Sequence, residues 1–456
     1  MSSAIDTDYV VIGSGAAGLA FADTLLTESP CSVTIIDERE GPGGHWRDSY
    51  DFVRLHQASA WYGVNSIPFE DDTLISDGPD AGYHHMATGA EVRAYFERVL
   101  AEVLLSSGRV RYLPKCRYEG NGGARLLDTG ELMDVRPAKK LVDTTYVAGT
   151  IPARHTPAYS IGNGVRHVPV NALSGLGGDA GPLIVIGGGK TGMDACLWLL
   201  SRGVDAERLC WIVPQDPWLL DRAQYQPGSR EFAAAMASQM EAAAEATSLE
   251  DMFARLEQRY LVWRLDPRVV PTAYRCATVN PTELEQLRRI KNVVRLGRVK
   301  AIDVGRIELQ DGLIETDPEA LHIDCSAKGI APKPLRPIWA DGRITVQYVR
   351  ACGQPSFSAA MIAAIEAKYG DDARKNALCA PVPGADRDVD WPAMTLANAA
   401  NAMRWGNEPP LQEWLSRARL NIFREASGFR EERDRMRAAF PGAIQNLRHL
   451  IQRTLT

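Results

Sequence analysis

The chain has 456 residues, 45% of them hydrophobic and 24% charged, with a formal net charge of −6. That composition belongs to a folded globular protein with room for two or three domains, and its negative balance gives no global attraction to nucleic acid or to an anionic membrane surface. No apolar stretch approaches the ~20 residues that span a bilayer, the polar start Ser2 to Thr7 does not fit a signal peptide, and a cytoplasmic location is expected.

Tyr9-Val10-Val11-Ile12 is an apolar run that reads as a buried strand. It leads into Gly13-Ser14-Gly15-Ala16-Ala17-Gly18 and a helix over Leu19 to Leu26; the next strand, Ser32 to Ile36, ends at Asp37. This order turns backbone N–H groups and a helix N-terminus toward a pyrophosphate, with glycine where a Cβ would collide. Asp37 lies 19 positions after Gly18, where a carboxylate accepts hydrogen bonds from both ribose hydroxyls of an adenosine. The plainer alternative for Asp37 is a solvated strand end.

Gly41-Pro42-Gly43-Gly44-His45-Trp46 is too rich in glycine for a helix or strand interior, and residues 50 to 82 look irregular and aromatic. Helix resumes from Thr88 to Leu105, with Thr88 as N-cap and Glu91 completing a capping box. Strands are expected near 109–113, 124–127 and 139–142. His84-His85 has no carboxylate or histidine at ligand spacing and reads as structural, so no metal site is expected.

Residues 144 to 181 carry turn formers and read as a crossover between domains. A second strand, turn and helix follow: Leu183-Ile184-Val185-Ile186, then Gly187-Gly188-Gly189-Lys190-Thr191-Gly192, then Met193 to Leu200. One glycine turn is weak evidence; two in this context point to two bound dinucleotides. The strand Arg208 to Val213 follows, and residues 229 to 264 have helical periodicity. Strands return near 293–302, 306–310 and 321–325. Ile344 to Arg350 precedes Gln354-Pro355-Ser356-Phe357-Ser358 and an apolar helix to Ala367, and the chain is mostly helical from Trp391 onward. Arg430 to Arg437 reads as a solvated helix face.

Asp143-Thr144-Thr145 and Asp324-Cys325-Ser326 are alike: each follows an apolar strand and precedes a glycine (Gly149, Gly329) and a proline (Pro152, Pro332). The expected fold class is therefore α/β, with two Rossmann-like dinucleotide-binding domains, the second inserted in the first, plus a helical insertion and a helical C-terminal region. The expected division is 1–169 with 336–390, then 170–335 with its insertion at about 216–290, then 391–456. The eight cysteines stand singly, with no Cys-x-x-Cys pair, so neither a zinc knuckle nor a local redox disulfide is encoded; Cys196 and Cys210 read as core residues.

Five segments together resemble the two-dinucleotide-domain flavoproteins, and within them the flavin-containing monooxygenase-like (class B flavin monooxygenase) family. They are Gly13 to Gly18 with Asp37, Gly43 to Trp46, Val53-Arg54-Leu55-His56-Gln57, Met86 to Val92, and Gly187 to Gly192. The resemblance implies FAD at the first turn, on Gly13, Gly15, Ala16, Ala17, Gly18, Asp37, Glu38, Gly44, His45, Trp46, His56, Gln57, Cys116, Ser356 and Phe357. It implies NADPH or NADH at the second, on Gly187, Gly189, Lys190, Thr191, Gly192 and Arg222. Gln57 matches a position where the family carries an asparagine beside the flavin, which makes it the catalytic candidate; His56, Gln57 and Asn65 also fit as polar groups satisfied inside a loop. Ser356 or Ser358 fits an N-cap as well as a flavin contact.

Departures are equally informative. The family's Phe-x-Gly-x3-His signature is reduced to Ile161, Asn163 and His167, which leaves His155 and His167 as weak candidates. No arginine follows Val213 to hold a 2′-phosphate; the nearest cations are Lys190 and Arg222, so a coenzyme preference below about a hundredfold is expected. The activity implied is NAD(P)H-dependent oxygenation of a small organic molecule at nitrogen, sulfur or carbon, through a flavin C4a-hydroperoxide, with O2 as co-substrate. Neither nucleic acid nor membrane is an expected partner, and a homodimer stays open. The alternatives are a flavin reductase serving a carrier or quinone, and an FAD-holding sensor without turnover.

Overall fold

In a computed structural model, residues 5–69, 73–176, 181–329, 333–352 and 354–455 are described. Ser2 and Ser3 of the polar start, residues 177–180 of the expected crossover and Pro332 lie outside them.

Two parallel sheets organise the chain. The first runs in the order Trp339–Ala340, Arg343–Thr345, Lys140–Asp143, Tyr9–Ile12, Val33–Ile36, Val110–Leu113. Only the pairing of Trp339–Ala340 with Arg343–Thr345 is antiparallel. Tyr9–Ile12 lies at its centre, paired with Val33 and Lys140 opposite Tyr9, and its Val10 and Val11 are fully buried. Helices cover the face carrying Tyr9 and Val11, and the small antiparallel sheet Cys116–Gly120, Gly123–Leu126 and Leu132–Asp134 covers the face carrying Val10 and Ile36; burial on both faces produces the unbroken apolar run seen in the sequence. The helix Ala16–Glu28 packs against Pro355–Lys368. The latter is buried over nearly its whole length, and its alanines at 359, 360, 363 and 364 permit that close approach.

The second sheet runs in the order Asn292–Val294, Leu209–Ile212, Leu183–Ile186, Leu321–Asp324, Arg166–Pro169, all parallel. Here two expectations are corrected. Arg166–Pro169, assigned to the first domain, pairs with Leu321–Asp324, and Ser160–Ile161 pairs with Ala301–Ile302, so the second unit begins well before residue 170. The expected strand 293–302 is two strands, broken at Gly297 with φ +73°. Asn292–Val294 stays in the parallel sheet, and Val299–Asp303 turns into an antiparallel layer with Arg306–Leu309 and Gly312–Glu315.

The capping box on Thr88 and Glu91 is present, but α-helix extends only over Gly89–Arg98 before widening into a π-helix over Val99–Leu104. The insertion contains helices Arg230–Glu245, Leu249–Gln258 and Pro281–Arg288 and three short strands. The long helix Arg430–Leu455 packs along Arg230–Glu245. Its start is a solvated face only in part: Arg430, Glu431, Asp434 and Arg437 are exposed, whereas Glu432 is buried against Arg230, and Arg435 holds Glu241 through two bonds of 2.9 and 2.8 Å. Glu432 and Arg435 serve docking.

The chain passes twice between the sheets, and the two passages touch. Thr150 N–H donates to Lys328 O at 3.1 Å, and a Cβ on Gly149 would fall 1.4 Å from Gly329 O. A disulfide joins Cys276 of the insertion to Cys352, ahead of helix Pro355–Lys368. Cys196 is buried in the core, and Cys210 is partly buried. Among the described residues no helix is long and apolar enough to cross a membrane.

Candidate functional site

Gly13 leaves its strand at φ +99°, and a Cβ there would meet Thr144 Oγ1 at 2.8 Å; on Gly18 it would lie 1.9 Å from Gly13 O. The protein itself demands those two glycines. Gly15, between them, faces only Gly44 Cα at an ordinary 3.5 Å. The second turn repeats the pattern. Gly187 has φ +129° with Cys325 O 2.5 Å from its would-be Cβ, Gly192 has Gly187 O at 2.0 Å, and Gly189 has nothing within 4 Å. In both turns the middle glycine is not demanded by a clash within the protein, with Gly44 in ordinary contact at the first and open space at the second, and a pyrophosphate over a helix N-terminus accounts for a glycine at such a position.

At the first turn the buried Asp37 carboxylate accepts from Ser14 N at 2.6 Å, Ser14 Oγ at 2.7 Å and Arg39 N at 2.8 Å, which fixes it over the turn. Glu38 is turned outward, paired with Arg117 at 3.0 Å. Cys116 donates its N–H to Asp37 O at 2.8 Å, while its thiol is buried with Val10, Ile36 and Ala124, which pushes its pKa up. Gly44 backs onto Gly15, and Gly43 N–H donates to Ser14 O at 2.9 Å. The segment Gly44–Arg47 thereby closes the first turn, with Ala16 and Ala17 opening its helix. Trp46 is buried, its Nε1–H donating to Tyr62 OH at 2.8 Å. His45 is exposed and stacks on it, with ring centres 5.1 Å apart.

Two unpaired atoms mark the N-terminus of helix Pro355–Lys368. Gln354 Oε1 and Ser356 Oγ are buried with no hydrogen-bond partner among the described residues. An orphaned buried polar atom costs about 1–3 kcal/mol, so two of them at one helix end suit a missing polar ligand. Ser356 does not cap the helix; Gln354 holds the N-cap position, and Ser358 Oγ accepts from Val349 N at 3.2 Å. Phe357 is buried beneath the Arg350 guanidinium, 3.8 Å from its ring centre.

A cavity of about 630 Å³ is lined by Leu55 and His56, by Lys190, Asp194 and Trp198 of helix Lys190–Ser201, and by Arg222 and Glu283 of the insertion. Lys190 pairs with Asp194, which also accepts from Tyr50 OH at 2.7 Å and lies 3.9 Å from His56 Nε2. Burial works to raise the Asp194 carboxyl; Lys190 and His56 overcome it and hold the carboxyl below the usual range. Burial and Lys190 push the His56 imidazole down to about 4, so it is neutral at neutral pH. Arg222 is buried and occupied, bonded to Glu283 at 2.8 Å and Asp80 at 3.2 Å. Gln57 is half-buried beside His56, its amide unpaired among the described residues. His167, by contrast, bonds Tyr159 OH at 2.9 Å and sits in the second sheet, and His155 approaches Ser326 at 3.4 Å.

Sequence reasoning missed Tyr50, Asp80, Asp194 and Glu283. Only Asp194 had a readable signal, its i,i+4 spacing from Lys190 on a helix.

The comparisons with known proteins agree with this geometry. Residues 11–68 match the NAD(P)-binding Rossmann-like domain. An uncharacterized protein of Mycobacterium tuberculosis (strain ATCC 25618 / H37Rv) is 46% identical over 421 residues, covering 92% of this chain and 78% of the relative. One of Mycobacterium bovis (strain ATCC BAA-935 / AF2122/97) matches to the same extent. A closed crystal structure of cyclohexanone monooxygenase superposes with a TM-score of 0.52 at 14% identity, over 96% of this chain and 99% of that one. The chain belongs to one family with its mycobacterial relatives, and it has the two-dinucleotide-domain fold of cyclohexanone monooxygenase.

Proposed function

We propose that this protein is a flavin-dependent monooxygenase that binds FAD at the first turn and NADPH or NADH at the second, and oxygenates a small organic molecule with O2. The observation that carries the reading is the pair of middle glycines, Gly15 and Gly189, that no clash within the protein demands. The orphaned Gln354 Oε1 and Ser356 Oγ suit a flavin ring, and helix Pro355–Lys368 directs its positive end there. FAD, when bound, supplies hydride acceptance and oxygen activation.

The protein's part is binding, orientation and exclusion of water. Asp37 takes the ribose, and Gly43 to Trp46 cover the flavin from the other side of the first turn. Gln57 offers its free amide to the reacting atoms. Neutral His56, held near Asp194, accepts or donates a hydrogen bond without bringing a charge. Residues up to about 150 and from about 333 to 390 form the FAD-binding part, and those between them form the nucleotide-binding part with its insertion.

The test is NAD(P)H-dependent O2 uptake by the yellow, full-length protein with a thioether probe such as thioanisole. Sulfoxide formation in step with coenzyme oxidation is expected. Electrons recovered wholly as H2O2 across thioether and amine probes, with rapid transfer to a benzoquinone, would instead identify the reductase reading. No reduction by either coenzyme would leave the FAD-holding sensor.

A further inference from the structure

We propose that the 2′-phosphate of the nicotinamide coenzyme is held by Arg275, which reaches in from the insertion, with Arg298 and Lys328 beside it, and that Asp386 is the protein's own anion competing for the same cations. This rests on the reading of the second turn as a coenzyme site.

On the proposed reading of the first unit, an adenosine ribose lies against Asp37, the residue just past strand Val33–Ile36. The matching position past Leu209–Ile212 is Val213, so no carboxylate repels a phosphate there. The loop that follows folds back onto the turn: Gln215 O lies 3.2 Å from a Cβ built on Gly188. Arg275 Nη2 reaches Gln215 Oε1 at 3.4 Å, and its Nε holds Asp386 at 2.5 Å. Backbone bonds fix the two segments together, from Tyr274 N to Asp386 O at 3.0 Å and from Asp388 N to Thr272 O at 3.2 Å.

Burial works to raise the Asp386 carboxyl, but Arg275, then Lys328 and Arg298, hold it below its ordinary range. Arg275 is thus bonded to the carboxylate, with Lys328 and Arg298 within electrostatic reach of it. Arg298 and Lys328 are exposed, and neither has a carboxylate at ion-pair distance among the described residues. The other nearby arginine is spent: Arg295 grips Asp216 through bonds of 2.8 and 3.0 Å. A surplus of positive charge beside the ribose end of the second turn suits a phosphate dianion, with Arg275 offering a planar fork.

Calorimetric titration of the FAD-loaded protein with 2′,5′-ADP and with 5′-AMP tests this. The wild-type protein is expected to prefer 2′,5′-ADP. Arg275→Ala should weaken 2′,5′-ADP by roughly ten- to a hundredfold and leave 5′-AMP unchanged, and Arg275→Lys should retain part of the preference. Asp386→Asn should move 2′,5′-ADP the other way, toward tighter binding, which a purely structural role for the pair would not produce. Equal affinity of the wild-type protein for both nucleotides, or equal weakening of both by Arg275→Ala, would overturn this proposal alone. Failure of both nucleotides to bind would overturn the coenzyme reading beneath it as well.

Discussion

Gly13 and Gly187 leave their strands on the same hydrogen bond, to Ile36 O at 2.8 Å and Ile212 O at 3.0 Å. Thr144 and Cys325 close the turns from the far side, donating to Ile12 and Ile186, and Asp143 and Asp324 each accept from the residue two further on at 2.9 Å. The side chains then diverge. The first turn opens its helix with Ala16 and Ala17 and faces Asp37; the second opens with Lys190 and Thr191 and faces Val213. A cation at a helix N-terminus opposes the dipole, and Lys190 is accommodated by Asp194 one turn on. Backbone geometry thus answers a need common to both turns, and charge distinguishes what each receives.

The sharpest way to break the comparison is to substitute the two middle glycines one at a time. Gly15→Val is expected to give folded, colourless protein, read as flavin absorbance against far-ultraviolet circular dichroism. Gly189→Val should leave the protein yellow and slow its reduction by NAD(P)H at least about a hundredfold, or ~2.7 kcal/mol of barrier, in anaerobic stopped flow. If both variants lose flavin, the turns are not independent sites.

Next in size is the ion pair that only the second turn has. Asp194→Ala leaves the largely buried Lys190 without its partner and is expected to destabilise the protein by about 2 to 3 kcal/mol, measured as a shift of the denaturation midpoint. At the first turn, where Ala16 and Ala20 occupy the positions that match Lys190 and Asp194, a change that touches no ion pair, Ala17→Ser, should alter stability by less than about 0.5 kcal/mol.

The smallest effect is on acid stability. His56 is neutral in the folded protein down to about pH 4 but titrates near 6.5 when unfolded. Its folded value is depressed, so unfolding takes up a proton between those values, and stability falls as pH drops from about 6.5 to 4. His56→Gln should flatten that part of the stability profile and leave it unchanged above pH 7.

Both parallel units were legible in the sequence because a strand buried on two faces leaves an unbroken apolar run, and each run ended in glycines that sterics require. The capping box on Thr88 was legible for the same local reason. What escaped was determined by distance along the chain. Nothing near Ser160 signals its pairing with Ala301, nor does any spacing join Cys276 to Cys352. Within the largely solvated Arg430 to Arg437, the docking roles of Glu432 and Arg435 escaped because their partners Arg230 and Glu241 lie about 200 residues away. The second turn's loop after Val213 looked bare of cations because Arg275 is 60 residues from Gln215 and arrives only on folding.

The paired passages at Gly149 and Gly329 carry a mechanical consequence. Two backbones bonded edge to edge, with no side chain between them, behave as a narrow strap. Joined by the Thr150–Lys328 bond, such a strap would yield in bending before it yields in shear. Opening of the cavity would then swing about a single line through these glycines, and the insertion, with Arg275 on it, would travel as the far end of that arc.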